Sequence, residues 1–294
     1  MSHKFKHKYL PYLLLLPTFI VIFLFIYYPM IRTFEISLHK TLFMGTRRLY
    51  VGLENYVQLF QSAEYRHSFF LTFIFSFTVV AITMPLAFVM SVLANQKIFG
   101  ARFFRTALIW PYALSPAIAG TILLFIFNPT VGILNYFLEI SLNIRPDWIS
   151  SRQLAYFMVV ATAVWKQLGY NIVFFLAGLQ NVPGELVESA QIDGANVVQR
   201  YWKIVIPIMS PTIFFLGTMN LIYSFFGTFG LIDVMTQGGP VDATNILVYN
   251  MYQDAFRFGR TGFAGAQSVI LFAIVTVIMI IQFKLAGRKV HYAG

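Results

Sequence analysis

Residues 183–207 read PGELVESAQIDGANVVQRYWKIVIP, a polar stretch in a chain that is otherwise nearly continuous hydrocarbon. It holds Glu185, Glu188 and Asp193, three of the eleven acidic residues of the chain. Pro183 suits a helix start. Glu185 and Glu188 fall in the first turns, where the positive end of the helix dipole favours acids. Gly194 stands where a left-handed C-terminal cap is wanted. A second helix restarts near Asn196, with Val197, Val198, Tyr201, Trp202 and Val205 on one apolar side. The spacing predicts two short helices joined by a turn, an elbow lying along a membrane surface. On these residues alone it is either a docking surface or a plain amphipathic connector.

The flanks say membrane. The chain has 294 residues, 58% of them hydrophobic and 11% charged, with mean hydropathy +0.71. A soluble domain carries about 25% charged residues. The net charge of +10 could serve a nucleic acid, but the basic residues sit beside apolar runs, the pattern of a membrane protein, and no nucleic-acid partner is expected. There is no cysteine, which excludes disulfides, thiolate metal sites and thiol nucleophiles. The first apolar run follows Lys4, Lys6 and Lys8 as a signal peptide would. It continues past Pro17 to about Met30 without a small-residue cleavage site, so a retained span is expected.

A bilayer core of roughly 30 Å needs about 20 apolar residues as helix. Six stretches qualify, near 10–31, 69–94, 103–128, 154–182, 204–230 and 263–285. The expected fold is therefore an all-α integral membrane protein with six transmembrane helices, both termini on one side. Lys4, Lys6, Lys8, Lys97, Arg102, Arg105, Arg200, Lys203, Lys284, Arg288 and Lys289 fall in the short segments of that side. This density near span ends predicts cytoplasmic termini in a cell membrane, and puts 183–203 in the cytoplasm. Three regions are expected: an N-terminal span with the first external loop over 1–68, a core over 69–285, and a basic tail over 286–294. Pro85, Pro111, Pro116, Pro207 and Pro211 should kink or break their helices.

No Asp or Glu lies inside the six stretches, and His3, His7, His39, His67 and His291 all lie outside them. A proton-coupled carrier needs a buried titratable relay, and a membrane enzyme needs a catalytic cluster. Neither pattern is present, so no catalytic residue and no metal site is expected. There is no GxxxxGK[ST] phosphate loop either. Energy for uphill transport would have to come from another polypeptide. The polar groups at membrane depth are few. Lys166 lies near the middle of span four, four residues before Tyr170, and Gln167 lies four before Asn171. Asn220, Ser224 and Thr228 repeat that spacing in span five. Such seams face either a substrate path or a neighbouring helix.

The elbow carries a more specific pattern. Permeases of binding-protein-dependent ABC importers have a cytoplasmic loop of the form E-A-A, three residues, G, nine residues, I-x-L-P. This chain has Glu188-Ser189-Ala190, Gly194 and Ile204-Val205-Ile206-Pro207 at that spacing, with Ser189 for the middle alanine and Ile206 for leucine. LPYLLLLPTF, WPYALSPAIAG, FNPTVGILN, VWKQLGYNIVFFLAGLQNVP and TQGGPVDATNIL also resemble the carbohydrate-uptake branch, over nearly the whole chain. The WPYALSP, VWKQ-x-x-YN and AQSV stretches look most like its permeases for sn-glycerol-3-phosphate.

The resemblance implies a type I ABC importer permease fold and a machine of several parts. Those parts are a second homologous permease, two cytoplasmic ATPase subunits that bind ATP and Mg, and an extracytoplasmic solute-binding protein. This chain itself would hold no cofactor. Glu188, Ser189, Ala190, Asp193, Gly194, Ile204 and Pro207 would couple to the ATPase. Lys166, Gln167, Tyr170, Asn171, Asn220 and Ser224 are the path candidates, and Gly238-Gly239-Pro240 would face the binding protein.

Overall fold

The apolar stretches are helices in a computed structural model that describes residues 9–42, 47–96 and 100–286. Lys4, Lys6, Lys8, Lys97, Arg288 and Lys289, which carry much of the expected orientation, lie outside these residues, as do His3, His7, His291 and all but the first residue of the expected tail. The chain opens with α1 (Leu10–Ile22), which runs through a π-helical turn at Phe23–Tyr27 into α2 (Tyr28–Ser37). This first apolar helix thus extends past the expected end near residue 31. An antiparallel hairpin follows, β1 (His39–Leu42) and β2 (Arg47–Tyr50), with His39 opposite Tyr50. This small sheet is an exception within a mostly helical chain: apolar periodicity cannot register two strands of four residues. Then come α3 (Glu54–Gln61) and α4 (Ala63–Ala94).

Next in order are α5 (Ala101–Ala113), α6 (Pro116–Ile126), α7 (Ile133–Leu142) and α8 (Arg152–Gln180). After them come α9 (Gly184–Ile192), α10 (Val197–Arg200), a π-helical turn at Tyr201–Val205, α11 (Ile206–Ile208) and α12 (Ser210–Ile222). A π-helical turn over Tyr223–Gly227 leads to α13 (Phe229–Met235). The chain closes with α14 (Leu247–Tyr252), a π-helical turn at Gln253–Arg257 and α15 (Thr261–Ala286).

Among the described residues, four helices are long and apolar enough to cross a membrane alone: Tyr12–Ser37, α4, α8 and Thr261–Lys284. Two more candidates are bent pairs, Phe103–Ala113 with Pro116–Ile126 at 107° and Val197–Ile208 with Ser210–Gly227 at 74°. Proline explains both bends. A residue before proline is pushed into extended backbone, and Ser115 sits there at ψ 152°, its side chain capping the Ile118 N–H. Pro211 falls in the first turn of α12, where its missing N–H has no helical partner to lose. Pro85 does not break its helix: α4 runs through it for 32 residues. A long helix packed along its length tolerates one lost backbone bond.

The described residues up to 63 with 251–273 form one compact unit, and those of 64–250 with 274–286 form another. In the first, buried Asn55 donates to the carbonyls of Ser37 and His39 at 2.7 and 3.0 Å, fixing the exit from α2. The carboxylate of buried Asp254 takes bonds from Arg260 and Gln267, which closes the turn that leads into α15. In the second unit α8 is central, with Met158, Val159, Ala163, Ile172 and Phe175 buried. The helix α5 lies along it so closely that a Cβ on Gly169 would stand 2.7 Å from the Ile109 carbonyl oxygen. That contact sets the position of everything α5 carries toward α8.

Candidate functional site

The elbow is built as two capped helices. At the end of α9, Gly194 takes φ +83°, a left-handed conformation that only glycine adopts without strain, and the Ala195 N–H reaches back to the Ala190 carbonyl at 2.9 Å. Asn196 then opens α10 with a capping box: its side chain accepts from the Gln199 N–H at 2.9 Å while the Gln199 side chain accepts from the Asn196 N–H at 3.0 Å. Arg200 donates to the Gln191 side chain at 2.6 Å and bridges the two arms.

One side of the elbow is keyed into the bundle. Val187 and Tyr201 pack against the buried cluster of Ala87, Phe175, Leu176, Leu179, Val205 and Met209. The Tyr201 ring stands edge-on to Phe88 at 6.0 Å, and Phe88 to Phe175 at 5.5 Å. The elbow thus sits on α4 and α8 together. Glu185, Glu188, Ser189, Asp193, Gly194 and Pro207 are exposed, and Ala190 and Ile204 are half-buried. The single apolar side expected over 197–205 divides. Tyr201 and Val205 turn inward, but Val197, Val198 and Trp202 are exposed, as are Leu186 and Ile192, the last at 87%. The four-residue α10 lies at the tip, beyond what α4 and α8 cover.

The polar seam is buried. Lys166, Gln167, Asn171, Asn220, Ser224 and Thr228 are all buried, and Tyr170 is half-buried. Asn171 and Asn220 face each other and exchange amide bonds at 3.0 and 2.6 Å, tying α8 to α12. Each also donates to a carbonyl one turn back, at Gln167 and Leu216. Ser224 bonds to the Leu221 carbonyl at 2.9 Å and Thr228 to the Ser224 carbonyl at 3.2 Å, so both hydroxyls are satisfied within their own helix. Lys166 differs. Its ammonium lies 5.4 Å from the centre of the Tyr112 ring and makes no ion pair among the described residues. Tyr112 stacks on Tyr170 at 5.2 Å, and Tyr170 on Phe174 at 4.8 Å. Sequence reasoning did not single out Tyr112. The signal was present only in retrospect, a tyrosine just after Pro111 where α5 must approach α8.

The third group, Gly238-Gly239-Pro240, forms a turn held from within. The Thr244 hydroxyl donates to the Gly239 carbonyl at 3.0 Å, and the Gly239 N–H to the Thr236 carbonyl at 2.9 Å. Asn250 donates to Glu64 at 3.0 Å, and the Leu247 N–H to Thr72 at 2.9 Å, fastening the following segment to α4. Gly238 is buried, and Gly239 and Pro240 are half-buried. The exposed tip is Val241-Asp242, two residues the sequence reading did not name. The three expected groups therefore remain three places: Lys166 to Asn171 meets Asn220, while the elbow and the 238–240 turn are separate. Among the described residues no group of three or more His, Asp or Glu could hold a metal ion.

Residues 62–292 match the model of the family described as binding-protein-dependent transport system inner membrane component. The chain is 40% identical over 289 residues to the sn-glycerol-3-phosphate transport system permease protein UgpA of Brucella abortus biovar 1 (strain 9-941), covering 98% of each. It is 41% identical over 288 residues to the UgpA of Agrobacterium fabrum (strain C58 / ATCC 33970), again covering 98% of each. Among solved structures, a chain of a bacterial ABC transporter involved in the import of the acidic polysaccharide alginate superposes with TM-score 0.83 at 22% identity, over 97% of both chains. A chain of the bacterial alginate ABC transporter in complex with alginate pentasaccharide-bound periplasmic protein gives 0.84, also at 22% identity, over 96% of this chain and 95% of that one. The chain belongs to the family of inner membrane components of binding-protein-dependent transport systems.

Proposed function

We propose that this chain is one of two permease subunits of an ABC importer, and that its solute is sn-glycerol-3-phosphate or a closely similar anion. The observation that carries the transport reading is the elbow: a rigid, glycine-turned element, exposed on one side and keyed on the other into both α4 and α8. In this reading the bent pair α5–α6 is span three, and span five begins after the elbow, with α11–α12, so six spans cross the membrane with both termini and the elbow in the cytoplasm. Two ATPase subunits power the importer, and one of them grips this elbow, with Glu188, Ser189, Ala190, Asp193, Gly194, Ile204 and Pro207 forming or setting the contact. Their closure on ATP rocks the packed helices about the seam, a known form of alternating access. Each ligand shifts the balance only as far as it favours one state over the other.

The solute reading rests on the names of the similar permeases and on Lys166. A lysine at mid-bilayer costs about 2.5–3.5 kcal/mol, and among the described residues no acid offsets that cost. A phosphate on the solute would. Gln167, Tyr170 and Ser224 would line the same path, with Asn171 and Asn220 holding its wall. An extracytoplasmic binding protein would deliver the solute to the face that carries the 238–242 turn. No catalytic step falls to this chain, and ATP and Mg belong to the partner subunits. The test is uptake by the assembled importer in liposomes, with glycerol-3-phosphate and a neutral disaccharide in parallel. ATP-dependent uptake of glycerol-3-phosphate is expected; uptake of the disaccharide alone would refute the solute.

A further inference from the structure

A cleft of about 380 Å³ lies against α7 and shares no lining residue with the elbow, the seam or the 238–242 turn. That volume falls in the ~300–1,000 Å³ range of small-molecule sites. Thr130, Val131, Asn135, Tyr136, Glu139 and Arg145 line it. The cleft is a built feature. Buried Asn135 donates to the Pro129 and Pro146 carbonyls, both at 3.0 Å, and accepts from the Trp148 indole at 2.6 Å. The Asn128 side chain accepts from the Thr130 and Val131 N–H groups at 2.9 and 3.1 Å. The helix α7 is thereby fixed to the chain on either side of it.

This fixed orientation turns an apolar stripe outward. Ile133, Tyr136, Phe137 and Ile140 recur at i, i+3, i+4 and i+7, and all are more than half exposed. In water, such a contiguous patch would be costly. The stripe also follows directly on one carried by α6, where Ile118, Ile122 and Phe125 are exposed at i, i+4 and i+7. Beside it, in the cleft, Arg145 and Glu139 stand 2.5 Å apart. The wall therefore offers one positive and one negative group, with no net charge, at the edge of an apolar face.

We propose that this cleft binds the headgroup of a zwitterionic glycerophospholipid with a primary ammonium, the phosphoethanolamine type. The acyl chains lie along Ile133, Phe137 and Ile140. Arg145 takes the phosphate, and the Glu139 carboxylate accepts hydrogen bonds from the ammonium, which a quaternary choline cannot donate. A lipid with a net negative headgroup satisfies Arg145 but is repelled by Glu139. The site is independent of the transport reading, since it needs only a chain embedded in a bilayer.

The test uses the full chain, in the complex in which it purifies, exchanged into bilayers of equal phosphatidylethanolamine and phosphatidylglycerol. Tightly retained lipid is counted by native mass spectrometry. Phosphatidylethanolamine should be retained over phosphatidylglycerol by roughly tenfold, the effect of one charge-assisted hydrogen bond. Glu139→Gln should shift the preference toward phosphatidylglycerol, and Arg145→Gln should abolish retention of both. Equal retention by the parent chain, or an unchanged preference in Glu139→Gln, overturns the proposal. A photo-crosslinking group placed at Phe137 should label lipid; labelling of another protein chain overturns it equally.

Discussion

Lys166 and the pair Asn171–Asn220 are all buried and make opposite demands. The asparagines satisfy each other across α8 and α12, so their role is to hold helices together. Removing one amide leaves the other buried without its partner. Interhelical hydrogen bonds in membranes are worth about 0.6–2 kcal/mol. Asn171→Ala should therefore lower the thermal unfolding midpoint of the detergent-solubilised complex. Asn171→Ala with Asn220→Ala should be less destabilised than the sum of the two single changes; strict additivity would mean that the amides do not interact. Lys166 has an aromatic neighbour but no acid among the described residues, and in the proposed reading its charge meets a solute. A hydrogen bond to a charged group is worth about 1.5–3 kcal/mol. Lys166→Met should then raise the KM for glycerol-3-phosphate uptake by roughly 10- to 150-fold, with assembly unchanged. An unaltered KM would remove Lys166 from the solute path.

At the scale of elements, the proposed coupling requires the elbow to push on α4 and α8 through side chains, and Tyr201 stands at that junction, edge-on to Phe88, which meets Phe175. Tyr201→Ala should slow uptake more than it slows ATP hydrolysis, because the stroke is made but poorly transmitted. Tyr201→Phe keeps the ring and should restore the ratio. Equal loss of both activities in Tyr201→Ala, or failure of the phenylalanine to rescue, would show that the ring does not carry the motion.

Much of this element was legible in advance. Gly194 and Asn196 are turn and cap residues whose local chemistry decides the backbone, and both behave as their types require. The long apolar helices were legible for the same reason, a period sustained over many turns. Three things were not. The strands at His39–Leu42 and Arg47–Tyr50 are too short to show a period. The fate of Pro85 depends on packing rather than on proline itself. The contact between Lys166 and Tyr112 joins residues 54 positions apart, and it exists because Gly169 lets α5 approach α8. Tertiary neighbours of that kind have no local signature.

At the scale of the whole molecule, the account makes one central demand: something outside this chain must cover and drive the elbow. Membership of the transport-system family supports that demand, and the exposed Leu186, Ile192, Val197, Val198 and Trp202 give it a surface. A chain with no cysteine allows a clean measurement. Ile192→Cys places one thiol at the most exposed large apolar side chain of the elbow. Its rate of labelling by a water-soluble maleimide is read in membranes holding the permease subunits alone and in membranes holding the ATPase subunits as well. The account predicts strong protection of the thiol when the ATPase is present. Labelling at the same rate in both, in a complex that still hydrolyses ATP and takes up solute, would contradict it.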